Sequence, residues 1–99
     1  MSSEVDPVVS VIVTTKNEER NIGACLESVV QQSMTPLEVI VVDNNSEDQT
    51  SEIAKQYGAR VFQLGPERSA QRNYGVEKAH GVYILYLDAD MRLSPKVIE

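Results

Sequence analysis

Two aspartates, Asp88 and Asp90, stand one residue apart directly after the apolar run Val82 to Leu87. Carboxylates at i and i+2 leave a strand end on the same side, so both can reach one ion. Their hard oxygens suit Mg2+ or Mn2+, ions that keep positions open for water and substrate phosphates. A cation there would reverse the local negative field and stabilise charge developing on a diphosphate leaving group. The competing reading is structural, because Asp is common wherever a strand gives way to a loop.

Other polar groups follow apolar runs in the same way. Val41-Val42 leads into Asp43-Asn44-Asn45-Ser46. An acid at the last strand position is costly to bury unless it is paired. A ribose hydroxyl or a base N–H is a natural partner for Asp43 or Asn44, while Asn45 and Ser46 are explained by turning the chain. Val13 leads into Thr14-Thr15-Lys16-Asn17-Glu18-Glu19. Thr14 and Thr15 offer hydroxyls and backbone groups to a nucleotide; for Asn17 and Glu18 helix capping is the alternative. Arg68 and Arg72 flank a predicted helix start, where guanidinium forks could hold phosphate oxygens or simply be solvated. His80 is placed to favour a helix C-terminus, and Cys25 falls on an apolar helix face.

The elements that must position these groups are legible. Val8 to Val13, Leu37 to Val42 and Val82 to Leu87 are continuously apolar, as strands covered on both faces require. Arg60 to Gln63 is shorter and more polar, as suits an edge. Asn17 is the expected cap of a first helix, with Ile22, Cys25, Leu26, Val29 and Val30 on its inner face. Ser46 with Gln49 has capping-box spacing for a second, and Gly58 is placed to end it in a left-handed conformation. Ser69 is the expected cap of a third helix running to about Ala79 and closed by Gly81. Ser94-Pro95 reads as the start of a fourth. The alternation β-α-β-α-β-α-β specifies an α/β fold with a parallel sheet and right-handed crossovers. The expected strand order is 3-2-1-4.

Composition narrows the function. The 99 residues are 41% hydrophobic and 24% charged, as in an ordinary globular domain, and only residues 1–7 read as a loose N-terminus. Fifteen acids against nine bases give a net charge of −6, which argues against a nucleic-acid partner. The single cysteine suits a reducing compartment, and the polar N-terminus is unlike a signal peptide, so the expectation is cytoplasmic, with a membrane face open to a longer chain. Val82 to Leu87 would be an exposed, uncharged edge strand. Such edges invite pairing, so either more strands follow Glu99 or this edge self-associates.

Taken together, Ser10 to Glu19, Val41 to Asp48, Ala70 to Gly75 and Gly81 to Asp90 resemble, in order and spacing, the motifs of family 2 inverting glycosyltransferases. The resemblance implies the Rossmann-like GT-A fold, of which residues 8–99 would be the nucleotide-binding half. It implies Mg2+- or Mn2+-dependent transfer from a UDP-, GDP- or dTDP-sugar to an acceptor that could be lipid-linked. Thr14, Thr15 and Glu18 match the first nucleotide-contacting loop, and Asp43 and Asn44 the pair that reads base and ribose. Arg68 lies near a basic diphosphate contact, and Asp88 and Asp90 match the ribose- and metal-contacting pair. Thr14 and Lys16 stand where the family usually has Pro and an aromatic, and Asn44 where a second acid is common. The resemblance places the catalytic base beyond Glu99. A binding module without turnover remains the alternative. A dehalogenase-type phosphatase would place its Asp-x-Asp after an early strand, and a dinucleotide-binding oxidoreductase would carry G-x-G-x-x-G after the first.

Overall fold

Residues 9–32 and 37–90 are described in a computed structural model. They form β1 (Val9–Thr15), α1 (Ile22–Val30), β2 (Leu37–Asp43), α2 (Thr50–Gln56), β3 (Arg60–Gln63), α3 (Arg68–Lys78) and β4 (Tyr83–Asp88). The expected loose segment 1–7 and the helix start at Ser94-Pro95 lie outside the described residues.

The four strands make one sheet in the order β3-β2-β1-β4. Every pairing is parallel, with Val11 opposite both Val39 and Leu85. The sheet has the expected order, and its strands run further than apolarity alone marks. Thr14, Thr15, Asp43 and Asp88 are strand residues rather than loop residues. Their ladder partners lie on other strands, so the chain stays extended past the last apolar side chain.

The helices divide between the two faces. Ile22, Cys25, Leu26 and Val29 of α1 pack with Val11, Val13, Val41 and Leu87, and Ala54 of α2 joins them. Burying each of these larger aliphatic side chains contributes roughly 1.5–3 kcal/mol. Val30, expected on the same face, is 49% exposed; it lies beyond the arc that i, i+3, i+4 and i+7 define. On the other face, Ile12, Ile40 and Val42 pack with Tyr74 of α3 and with Phe62 and Ile84. The chain therefore changes faces between β3 and β4, and the strand order reverses beside β1. In open α/β sheets, ligands occupy the crevice at such a reversal.

Two glycines set how closely α3 and its exit loop approach the sheet. A Cβ on Gly75 would lie 2.5 Å from Ile12 Cγ2, and one on Gly81 would lie 2.7 Å from the Ser10 backbone nitrogen. Gly81 is thus selected by close approach to β1, not by helix capping as expected. The expected caps were also misplaced. None of the residues preceding α1, α2 and α3 (Asn21, Gln49 and Glu67) makes a side-chain cap bond, and Ser69 lies within α3. Gly58 does adopt the expected left-handed conformation, with φ +84°.

Candidate functional site

A cavity of about 390 Å³ opens at the carboxyl ends of β1 and β4, lined by the β1–α1 loop, Asn44 and the start of α3. Asp88, the last residue of β4, sits opposite Thr14 in the ladder. The Thr14 hydroxyl donates to Asp88 Oδ1 at 3.0 Å, and Arg68 Nη1 donates to Oδ2 at 3.4 Å. The arginine side chain is 60% exposed, so this ion pair is worth at most about 1 kcal/mol and is easily exchanged for another anion. Asp90 follows in the turn and lines the same cavity, while Ala89 between them is buried in the α1-side core. The two carboxylates therefore share one opening, as their spacing predicted.

Thr15 ends β1 at 5% exposure; its side chain leaves the sheet on the α1 face, as those of Val11 and Val13 do, and its buried hydroxyl has no hydrogen-bond partner among the described residues. Its carbonyl accepts the Asn44 N–H at 2.9 Å, tying the tip of β1 to that of β2. Beyond these tips the two loops are cross-linked. Asn17, with φ 52°, accepts the Glu47 N–H on Oδ1 at 2.8 Å and donates its own N–H to Ser46 Oγ at 2.7 Å. The Glu18 N–H donates to Thr50 Oγ1 at 2.9 Å, and the Gln49 N–H to Glu19 Oε1 at 3.0 Å. The groups expected to cap helices locally are instead spent between loops about 30 residues apart in sequence. Asp48 belongs to this lattice, and the hydrogen bond from the Thr50 hydroxyl holds its carboxyl below the usual range.

Asp43 needs a different account from the one its position suggested. It is fully buried, and its carboxylate accepts from the Ser46 N–H at 3.0 Å, the Ser46 hydroxyl at 2.5 Å and the Ser51 hydroxyl at 3.1 Å. These bonds satisfy the buried charge without any ligand. Asn44, not Asp43, lines the cavity. Its side chain is packed so closely under Gly65 that a Cβ there would fall 2.0 Å from Oδ1. Arg72 is also outside the lining; its guanidinium lies over the Tyr86 ring, 5.6 Å from the centroid. Glu18 lines the cavity, with Oε1 accepting from Asn21 Nδ2 at 2.9 Å.

Four lining residues were not among the site residues expected from the sequence: Lys16, Pro66, Gln71 and Ala89. Gln71 and Arg72 follow Arg68 by three and four positions, so helical spacing alone places both near Arg68's face. Only the seating of α3 on the sheet sends Gln71 inward and Arg72 toward Tyr86.

His80 lies at the opposite, amino-terminal ends of the strands. Its N–H donates to Glu38 Oε1 and its Nδ1 lies against Oε2, both at 2.8 Å, where Arg60 also pairs at 2.9 Å. The expected role at a helix terminus is replaced by this contact, because α3 stops at Lys78. Burial pushes Glu38 up and is the largest single influence. The hydrogen bonds from the His80 N–H, the Ser10 hydroxyl, the His80 ring and Arg60 together outweigh it and lower Glu38 from 4.5 to about 2.

Among the described residues no helix is long and apolar enough to cross a membrane. Nor do they gather three or more His, Cys, Asp or Glu side chains that could hold a metal ion.

A parallel α/β sheet with a polar cavity at its strand-order reversal defines the open α/β class of domain that takes its ligand at that point. Within that class, the chain belongs to Glycosyl transferase family 2, which matches residues 10–99. It is 40% identical over 93 residues to glycosyltransferase AglE of Haloferax volcanii, covering 85% of this chain and 31% of that protein. S. aureus TarS 1-349 in complex with UDP superposes with a TM-score of 0.84 at 32% identity, over 92% of this chain and 30% of that 1-349 chain. The mannosyltransferase PcManGT of Pyrobaculum calidifontis, in complex with GDP-Man and Mn2+, gives 0.77 at 26% identity, over 89% of this chain and 29% of PcManGT. The chain spans under a third of the length of the curated relatives it matches. The fold and family expected from the motifs are confirmed.

Proposed function

We propose that this chain is the donor-binding part of a glycosyltransferase that uses a nucleoside-diphosphate sugar, with Mn2+ or Mg2+ held by Asp88 and Asp90. One observation carries the reading: both carboxylates, the Thr14–Thr15 tip of β1 and Arg68 line a single cavity at the strand-order reversal. The UDP and GDP-Man complexes of the similar proteins support it. When bound, the cation would neutralise the diphosphate and favour its departure.

The chain's own residues supply the rest. Arg68, whose pair with Asp88 is exposed, would be free to take a phosphate oxygen instead. Thr14 orients Asp88 through its hydroxyl. Thr15 and Asn44 hold the nucleoside end of the donor, and the cross-linked loops keep these groups fixed before the ligand arrives, which lowers the ordering cost of binding. Deprotonation of the acceptor hydroxyl, which inverting transfer requires, is assigned to none of the cavity residues. Asp88 and Asp90 are committed to the cation and Glu18 to Asn21.

Calorimetric titration with UDP and with GDP, with and without Mn2+, tests the reading. Binding of at least one nucleotide should require the cation, and Asp90→Asn should weaken it at least tenfold, while Cys25→Ala leaves it unchanged. Equal heats for wild type and Asp90→Asn would overturn the metal assignment.

A further inference from the structure

The Gln71 side chain is 4% exposed, and what it does expose belongs to the cavity lining. Its orientation is fixed by the sheet. Nε2 donates to the Val42 carbonyl at 2.8 Å and lies 3.5 Å from the Thr15 carbonyl, so the amide nitrogen faces two backbone acceptors on adjacent strand tips. Turning the amide over would set its oxygen against both carbonyls, so this orientation is the stable one. The Oε1 atom is then left without a partner among the described residues, yet it is not sealed in the interior. Buried polar groups rarely stay unpaired, and an open acceptor on a cavity wall marks where a ligand supplies the missing bond.

The cavity has two ends. Asp88, Asp90 and Arg68 gather at the β4 side, whereas Gln71 and Asn44 stand over the tips of β1 and β2, where Lys16 is held by the Asn45 carbonyl and Glu18 by Asn21. A diphosphate with its cation belongs beside the two carboxylates and Arg68, so the nucleoside falls to the other end. We propose that Gln71 is a specificity-determining residue whose Oε1 accepts the ring N–H of the donor's nucleobase. It therefore selects bases that carry an imide or lactam N–H (uracil, thymine or guanine) over cytosine and adenine, which present a bare ring nitrogen at that edge. Two acceptors facing each other repel, so the wrong base loses a hydrogen bond and leaves the amide oxygen unpaired.

This inference rests on the donor-binding reading, and the test separates the two. Affinities are measured in Mn2+ for UDP, CDP and N3-methyl-UDP, and for GDP, ADP and N1-methyl-GDP, on wild type and Gln71→Met. In whichever series binds, the wild type should prefer the N–H base about tenfold over both alternatives, the effect of one buried hydrogen bond. In Gln71→Met the three affinities should converge to within about twofold, a change of selectivity that general loosening of the strand tips would not produce. If Gln71→Met does not fold, Gln71→Asn, which is one methylene shorter and withdraws the oxygen, gives the same comparison. Equal wild-type affinity for a base and its N-methyl form, or full discrimination surviving in the variant, would overturn the assignment. Absence of binding by every nucleotide would overturn the donor-binding reading and this inference with it.

Discussion

Substituting Gly75 by alanine tests how α3 is seated on the sheet. The added Cβ would lie 2.5 Å from Ile12 Cγ2, 3.2 Å from Ile12 Cδ1 and 3.5 Å from Val42 Cγ2. Comfortable carbon–carbon contact begins at about 3.5 Å, so the helix must lift by roughly 1 Å or Ile12 must leave its rotamer. Ile12 and Val42 are both fully buried and have nowhere to go. Overpacking of this kind costs about 2–3 kcal/mol. Alanine is a better helix former than glycine by about 1 kcal/mol, which offsets part of the strain. The net loss should be about 1–2 kcal/mol, lowering Tm by roughly 5–15 °C in a domain of this size. Thermal unfolding followed by circular dichroism reads it. In an Ile12→Ala background the Cγ2 and Cδ1 atoms are gone, so Gly75→Ala should become neutral or stabilising, a coupling that a double-mutant cycle isolates. An unchanged or raised Tm for Gly75→Ala alone, or an equal loss in both backgrounds, would refute the close-approach argument. Because α3 carries Arg68 and Gln71 into the cavity, nucleotide affinity should fall along with stability.

The remaining predictions concern the two carboxylates that the fold itself uses. Glu38 is lowered from 4.5 to about 2 in the folded chain, so its contribution to stability is present above 4.5 and is lost as pH falls toward 2. Acid titration of unfolding should show a limb in that window, worth about 1–2 kcal/mol once screening of the exposed partners is allowed for, that flattens in Glu38→Gln; an identical limb in the variant would remove Glu38 as its source. Asp43→Asn leaves a buried amide facing donors that a carboxylate oxygen had accepted, at a cost of about 2–3 kcal/mol. Urea midpoints should shift accordingly, and hydrogen exchange should quicken in residues 44–49; unchanged exchange there would show that Asp43 does not organise the loop.

Much of this protein is written in local order. Continuous apolar runs at regular intervals, with amphipathic segments between them, are enough to specify a parallel α/β sheet, since strands covered on both faces cannot be polar on either. The short, polar third run added the strand order and the ordered motifs the family, while Asp88 and Asp90, two positions apart, line one opening. What the chain alone could not reveal is where its short polar side chains find partners. Asn17 and Ser46 look like helix caps because a cap is the nearest use for them. In the folded protein the loops after β1 and β2 lie side by side, and the same groups satisfy each other's backbone. Asp43 looks like a ligand contact until Ser46 and Ser51 are seen to occupy it. The choice between Gln71 and Arg72 for the cavity was likewise made by the close packing of Gly75 against Ile12, which fixes the rotation of α3. Periodicity acts within one element and survives in the sequence. Partnership between elements depends on distances that exist only once the strands are aligned.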